Sequence, residues 1–180
     1  TYRVYNDINK FDILLEAISN KKTLINLTNH AYFNLSGDGK NNILSHKLKL
    51  NCPLYTNLNN ELIATSIDNV NKIMDFTNEK EIGLHINDES LQNHTAFGYD
   101  HCFIKTDTSN DVIAILKDEV SKRRLTVSTS LPSVVCYSTN YPDDTMDFNV
   151  KNNKLNKYHA ITLECQYVPN GINMENVNKA

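Results

Sequence analysis

The chain has 180 residues, 40% of them hydrophobic and 22% charged, with a formal net charge of -3. That length suits one domain with a sizeable core rather than two. Scattered charge of slightly negative sign argues against nucleic acid as the main partner. The lack of any long apolar run argues against a membrane partner as well.

Strand-length apolar runs rich in β-branched and aromatic residues recur along the chain. They cover Tyr2–Asn6, Phe11–Ile18, Lys22–Leu35, His46–Thr56, Lys72–Thr77, His101–Thr106, Val112–Lys117, Leu125–Tyr137 and Ala160–Val168. Turn formers separate them: Ser36-Gly37-Asp38-Gly39, Asn57 to Asn60, Asp107 to Asp111 and Asp143-Asp144. Paired asparagines such as Asn41-Asn42 and Asn152-Asn153 also favour turns and solvated loops. No segment has the period of an amphipathic helix; Glu79 to Ile86 suits one short turn and Asp118 to Arg123 a charged hairpin connection. Many strands, polar turns and almost no helix predict an all-β protein, an antiparallel β-sandwich, over one domain spanning 1–180.

Cys52, Cys102, Cys136 and Cys165 form no C-x-x-C pair and no zinc spacing. Buried thiols behave as small hydrophobes, so a reducing, cytoplasmic setting is expected. Sequons at Asn26 and Asn34 flank His30, where a glycan would obstruct chemistry, and this points the same way.

Period-two parity sorts side chains onto faces. In Ile161–Tyr167, the residues Ile161, Leu163, Cys165 and Tyr167 share one face, and Thr162, Glu164 and Gln166 the other. In Leu24–His30, Ile25 and Leu27 oppose Asn26, Thr28 and His30. Two distant segments thus each present a polar face with a titratable group. A solvated outer sheet face would carry the same pattern.

The run Asn26-Leu27-Thr28-Asn29-His30-Ala31-Tyr32-Phe33-Asn34-Leu35-Ser36-Gly37 adds specificity. It resembles the N-L-T-N-H-x-Y-F-N-L-x-G motif of the aldose 1-epimerase (galactose mutarotase) family. Gly98-Tyr99-Asp100-His101 matches that family's G-Y-D-H, and Leu163-Glu164-Cys165-Gln166 resembles its L-E-T-Q, followed by Pro169-Asn170-Gly171. The resemblance implies a galactose mutarotase-like β-sandwich that interconverts α and β anomers of a free hexose, galactose or glucose. It implies Glu164 as the general base at the C1 hydroxyl and His30 as the general acid at the ring oxygen. Asp100 and Asn29 would bind the sugar. No cofactor or metal is implied, and a small-molecule sugar is the expected partner; the oligomeric state is not legible.

Family members are commonly longer, their first part supplying strands and a sugar-contacting Arg and second His. The sequence opens at Thr1 and lacks the family's last strand, so it is expected to be a portion of such a domain. Val135 stands where the family has a glutamine lining the sugar site, which questions sugar specificity.

The chemistry is consistent with the residue types. Anomerisation needs an ionised group and a protonated one near neutral pH, and a carboxylate beside an imidazole supplies both. Other readings are a sugar-binding domain without turnover and a hexose 6-phosphate epimerase. The latter would need cations at the pocket, and the clustered Lys122, Arg123 and Arg124 fall in the hairpin connection. Glycoside hydrolysis by Asp100 and Glu164 would leave the His motif without a role. His101 is expected to be structural, as are His46, His85, His94 and His159.

Overall fold

The computed structural model describes residues 1–37, 41–94, 96–142, 155–175 and 177. The turn residues Asp38, Gly39, Asp143 and Asp144 and the pair Asn152-Asn153 lie outside them. All strand pairing is antiparallel. β1 (Tyr2–Val4) and β2 (Phe11–Ile13) form a hairpin of their own. β3 (Tyr32–Phe33), β5 (Leu54–Leu58), β6 (Ala64–Asn69), β8 (Asp100–Ile104), β11 (Ser133–Tyr137) and β12 (Ile161–Gln166) form a six-stranded sheet in the order β3-β12-β11-β8-β5-β6. β4 (Lys47–Leu50), β7 (Lys80–Glu81), β9 (Val112–Lys117) and β10 (Arg124–Ser128) form a four-stranded sheet, β10-β9-β4-β7.

Alternation decides how the sheets stack. Phe103, Val134, Cys136, Ile161 and Leu163 from the larger sheet meet Leu48, Leu50, Ala114 and Leu116 from the smaller in one buried cluster. This is the sandwich that the strand pattern predicts, with aligned inner faces making the core. The intervening residues of β8, β11 and β12 therefore lie on the opposite face of the larger sheet. Among the described residues no helix is long and apolar enough to cross a membrane.

Several expected strands differ in extent. His46–Thr56 and Leu125–Tyr137 each divide into two strands at Pro53 and Pro132, which cannot donate to a ladder. Lys72–Thr77 is not a strand. Asn71 Oδ1 accepts from the amides of Ile73 and Met74, and Asp75 Oδ1 from the amide and hydroxyl of Thr77, so side chains curl the backbone into turns. Only Tyr32 and Phe33 of Lys22–Leu35 are strand. The polar segments β6 and β7 and a single helical turn at Glu89–Gln92 carry no apolar signal and were not expected. The short turn expected within Glu79–Ile86 is a 3-10 helix at Ile82–His85, and Asp118–Arg123 does connect β9 to β10, closed by the Asp118 amide on the Arg123 carbonyl.

Candidate active site

The twelve-residue run around His30 can be followed atom by atom. Asn26 lies beside the end of β12 without joining its ladder. Its Nδ2 donates to the carbonyl of Tyr167 at 3.0 Å, and its Oδ1 accepts from the Tyr167 amide at 2.9 Å. Thr28 Oγ1 donates to the Cys165 carbonyl at 2.9 Å. Side chains thus substitute for the backbone pairing that a strand would make. Beyond His30 the chain enters β3, where Tyr32 pairs with Thr162 and Phe33 with Ile161. Asn34 then ties the following turn down, its Nδ2 donating to the carbonyls of Asn41 and His159, both at 2.7 Å.

Glu164 is brought to His30 by this arrangement. β12 lies between β3 and β11, and the side chains of its polar face are held close to the sheet: Thr162 is fully buried and Glu164 only 8% exposed. Thr162 Oγ1 donates to Glu164 Oε1 at 2.9 Å, and Gln166 Nε2 to Oε2 at 3.4 Å. Asn26 Nδ2 donates to Gln166 Oε1 at 3.2 Å, which turns the Gln166 amide nitrogen towards the carboxylate. His30 Nε2 stands 3.2 Å from Glu164 Oε1 with about half of the imidazole exposed. A held, buried carboxylate therefore meets an accessible imidazole.

Asp100 begins β8, two strands away. The residues before it explain its placement. A Cβ on Gly98 would lie 2.3 Å from Asn140 Oδ1, so only glycine lets the Asn140 side chain reach the Tyr99 carbonyl, at 2.9 Å. Ser138 Oγ accepts the Tyr99 amide at 3.1 Å. Burial raises the Asp100 carboxyl, opposed by the Tyr141 hydroxyl that donates to it at 3.1 Å and assisted by the charge of Glu164.

These groups line one cleft of about 680 Å³, together with Tyr32, Tyr137, Tyr141 and Val135. The His30 ring sits 5.0 Å from that of Tyr32 and 6.5 Å from that of Tyr137. Burial raises all three phenols, so each remains a neutral hydrogen-bonding group near neutral pH. Tyr137, Tyr141, Thr162 and Gln166 were not selected from the sequence. Parity already put Thr162 and Gln166 on the face of Glu164, whereas nothing local marks Tyr141.

Asn29 is placed elsewhere. It lines a second hollow, of about 810 Å³, between β2, β10 and the Leu163–Cys165 side of β12. Its Nδ2 donates to the Tyr2 hydroxyl and its Oδ1 accepts from the Ala31 amide. The structure thus brings His30, Asp100 and Glu164 together, and Asn29 faces away from them.

The other histidines have local roles. His101 is buried, accepts the Asp100 amide at Nδ1, and is held down to about 4 by burial. His46 accepts the Leu35 amide at Nε2, and burial lowers its basicity too. His94 and His159 each accept a nearby backbone amide at Nδ1. Arg123 donates to the Leu35 carbonyl and Arg124 lines the second hollow. Among the described residues no Lys or Arg lines the cleft, and no group of three His, Cys, Asp or Glu is placed to hold a metal.

The structure is an antiparallel β-sandwich with a carboxylate–imidazole pair in an open cleft. The family model described as aldose 1-epimerase matches residues 1–179, and the chain belongs to that family. It is similar to the galactose mutarotase of Mus musculus, 32% identical over 161 residues, covering 87% of this chain and 45% of the relative. The aldose 1-epimerase of Haemophilus influenzae is 31% identical over 175 residues, covering 94% and 49%. The crystal structure of galactose 1-epimerase from Lactobacillus acidophilus superposes with a TM-score of 0.68 at 31% identity, covering 84% of this chain and 42% of that one. A GalM/aldose epimerase homologue from C. elegans shares the fold, with a TM-score of 0.70 at 21% identity over 87% of this chain and 46% of that one. The chain spans about half the length of the curated relatives it matches.

Proposed function

We propose that this protein is a cofactor-independent aldose 1-epimerase acting on a free hexose, galactose or glucose. Glu164 takes the proton of the C1 hydroxyl while His30 delivers one to the ring oxygen, and the C1–O5 bond opens. Rotation about C1–C2 exposes the other face of the carbonyl. On ring closure His30 takes its proton back from the O5 hydroxyl and Glu164 gives its proton back to O1, so both residues regain their starting states. Asp100 and its Tyr141 partner hold hydroxyls at the far side of the cleft.

The observation that carries this reading is the 3.2 Å approach of His30 Nε2 to the buried Glu164 carboxylate. The pair supplies an acceptor and a donor on one side of a cleft of suitable size. Thr162 and Gln166 keep the carboxylate from turning away, so little reorganisation precedes the transfer.

Polarimetry of freshly dissolved α-galactose and α-glucose tests the proposal. The chain is expected to accelerate the change in rotation, and Glu164→Gln and His30→Ala to lose it by roughly 10²-fold or more. Glu164→Gln is isosteric and should remain folded. Full activity in Glu164→Gln would overturn the assignment of the base. Sugar-induced stabilisation without acceleration would identify a binding domain instead.

A further inference from the structure

The register of β8, β11 and β12 arranges the cleft floor in rows. Cys102, Val135 and Glu164 are direct cross-strand partners in one row, and Asp100, Tyr137 and Thr162 in the next. Neighbouring strands lie about 4.8 Å apart and a row is about 7 Å from the next, so the backbones of Asp100 and Glu164, two strands and one row apart, are separated by roughly 12 Å. That distance suits a pyranose ring lying between the two carboxyl groups. Beneath such a ring are the two β11 side chains that line the cleft, Val135 and Tyr137.

These two floor residues differ in kind. Tyr137 carries a hydroxyl. Val135 offers only methyl groups, and it packs against a small apolar cluster of Ala64, Cys102, Val168 and Met174. Pro169 extends the non-bonding lining on that side. A sugar hydroxyl laid on Val135 would give up water and gain no partner from that side chain, whereas a C–H or methyl group there loses nothing.

We infer that Val135 is a specificity-determining residue and that the cleft prefers a deoxyhexose, one hydroxyl replaced by hydrogen over Val135, to the fully hydroxylated parent. This rests on the reading of the cleft as a hexose site. The deoxy carbon preferred identifies which part of the ring rests on β11. Hydroxyls elsewhere on the ring still have Asp100, Tyr141, Tyr137 and Gln166 as partners, so only one position of deoxygenation is favourable and the others weaken binding.

The test is calorimetric titration of the chain with galactose, glucose and their 2-, 3-, 4- and 6-deoxy forms, repeated for Val135→Thr and Val135→Ile. One deoxy form is expected to bind about tenfold more tightly than its parent. Val135→Thr puts a hydroxyl in nearly the same volume and should cancel or invert that ratio. Val135→Ile should keep it, which separates lost hydrogen bonding from altered packing. Tightest binding of the parent hexose, or a ratio unmoved by Val135→Thr, would overturn the inference while leaving a hexose site intact. Binding of no sugar from either set would overturn the hexose reading itself, and this inference with it.

Discussion

Replacing Gly98 by alanine perturbs the site from a distance, and the size of the effect can be worked from the contacts. The new Cβ would stand 2.3 Å from Asn140 Oδ1, 2.7 Å from its Cγ and 3.0 Å from Ser138 Oγ. Neither neighbour can retreat freely. Asn140 is held by its bond to the Tyr99 carbonyl, and Ser138 Oγ by the Tyr99 amide. At least one buried hydrogen bond must break, at about 1–3 kcal/mol. The backbone adds about 1 kcal/mol because φ of 154° is a conformation that suits glycine. A loss of about 2–4 kcal/mol follows, read as a lower urea midpoint at unchanged m-value. The displaced groups are those that set the start of β8, so Asp100 should shift and hexose binding weaken as well. In an Asn140→Ala background the two shortest contacts are gone and only the 3.0 Å approach to Ser138 Oγ remains, so Gly98→Ala should then cost clearly less than in the parent. A Gly98→Ala protein within 0.5 kcal/mol of the parent, or strictly additive effects of the two changes, would refute the reasoning.

Two further outcomes are expected. His101 stays neutral in the fold down to about pH 4, against an ordinary value of 6.5, so between those limits the unfolded chain binds a proton that the folded one does not. Stability is then fully present above pH 6.5 and falls by about 1.4 kcal/mol per pH unit on acidification, about 3 kcal/mol in all. His101→Asn, which keeps an acceptor for the Asp100 amide, should flatten that decline in urea titrations from pH 7 to 4.5; an unchanged slope would exclude His101 as its source. Asn26→Ala removes three hydrogen bonds to Gln166 and Tyr167 and should cost about 1–2 kcal/mol. Hydrogen exchange at the Tyr167 amide should rise with it, and unaltered protection there would show that the Asn26 clamp does not hold the end of β12.

The parity of Ile161–Gln166 was readable because one strand must serve a core on one side and a cleft on the other. The same rule failed for Lys22–Leu35. There the side-chain faces are kept, Ile25 and Leu27 lining the second hollow with Leu163 and Cys165, but Asn26 and Thr28 replace the ladder. Periodicity reports faces, and it cannot tell whether amides or side chains make the bonds. β6 was missed because an edge strand of sequence Ala-Thr-Ser-Ile-Asp-Asn has little to bury. His30, Asp100 and Glu164 were found through ordered short motifs, whereas Tyr137 and Tyr141 enter the cleft through long-range packing that no local spacing encodes. The position of Asn29 shows the limit of neighbourhood: adjacent to His30 in sequence, it points to the other side of the chain.

Because Glu164 sits between Leu163 and Cys165 on a strand with the core on one face and the cleft on the other, this stretch is far less forgiving of a change in length than of a change in identity. Removal of one codon between His159 and Glu164 would send the carboxylate into the apolar interior and expose its hydrophobic neighbours to the cleft. A conservative substitution at Ile161 would leave the chemistry untouched. Lineages that drift here are therefore expected to vary in side chain while keeping the residue count between Ala160 and Tyr167 constant. Tolerance of insertions should return only past Tyr167, where the Asn26 side chain marks the last position whose register is held.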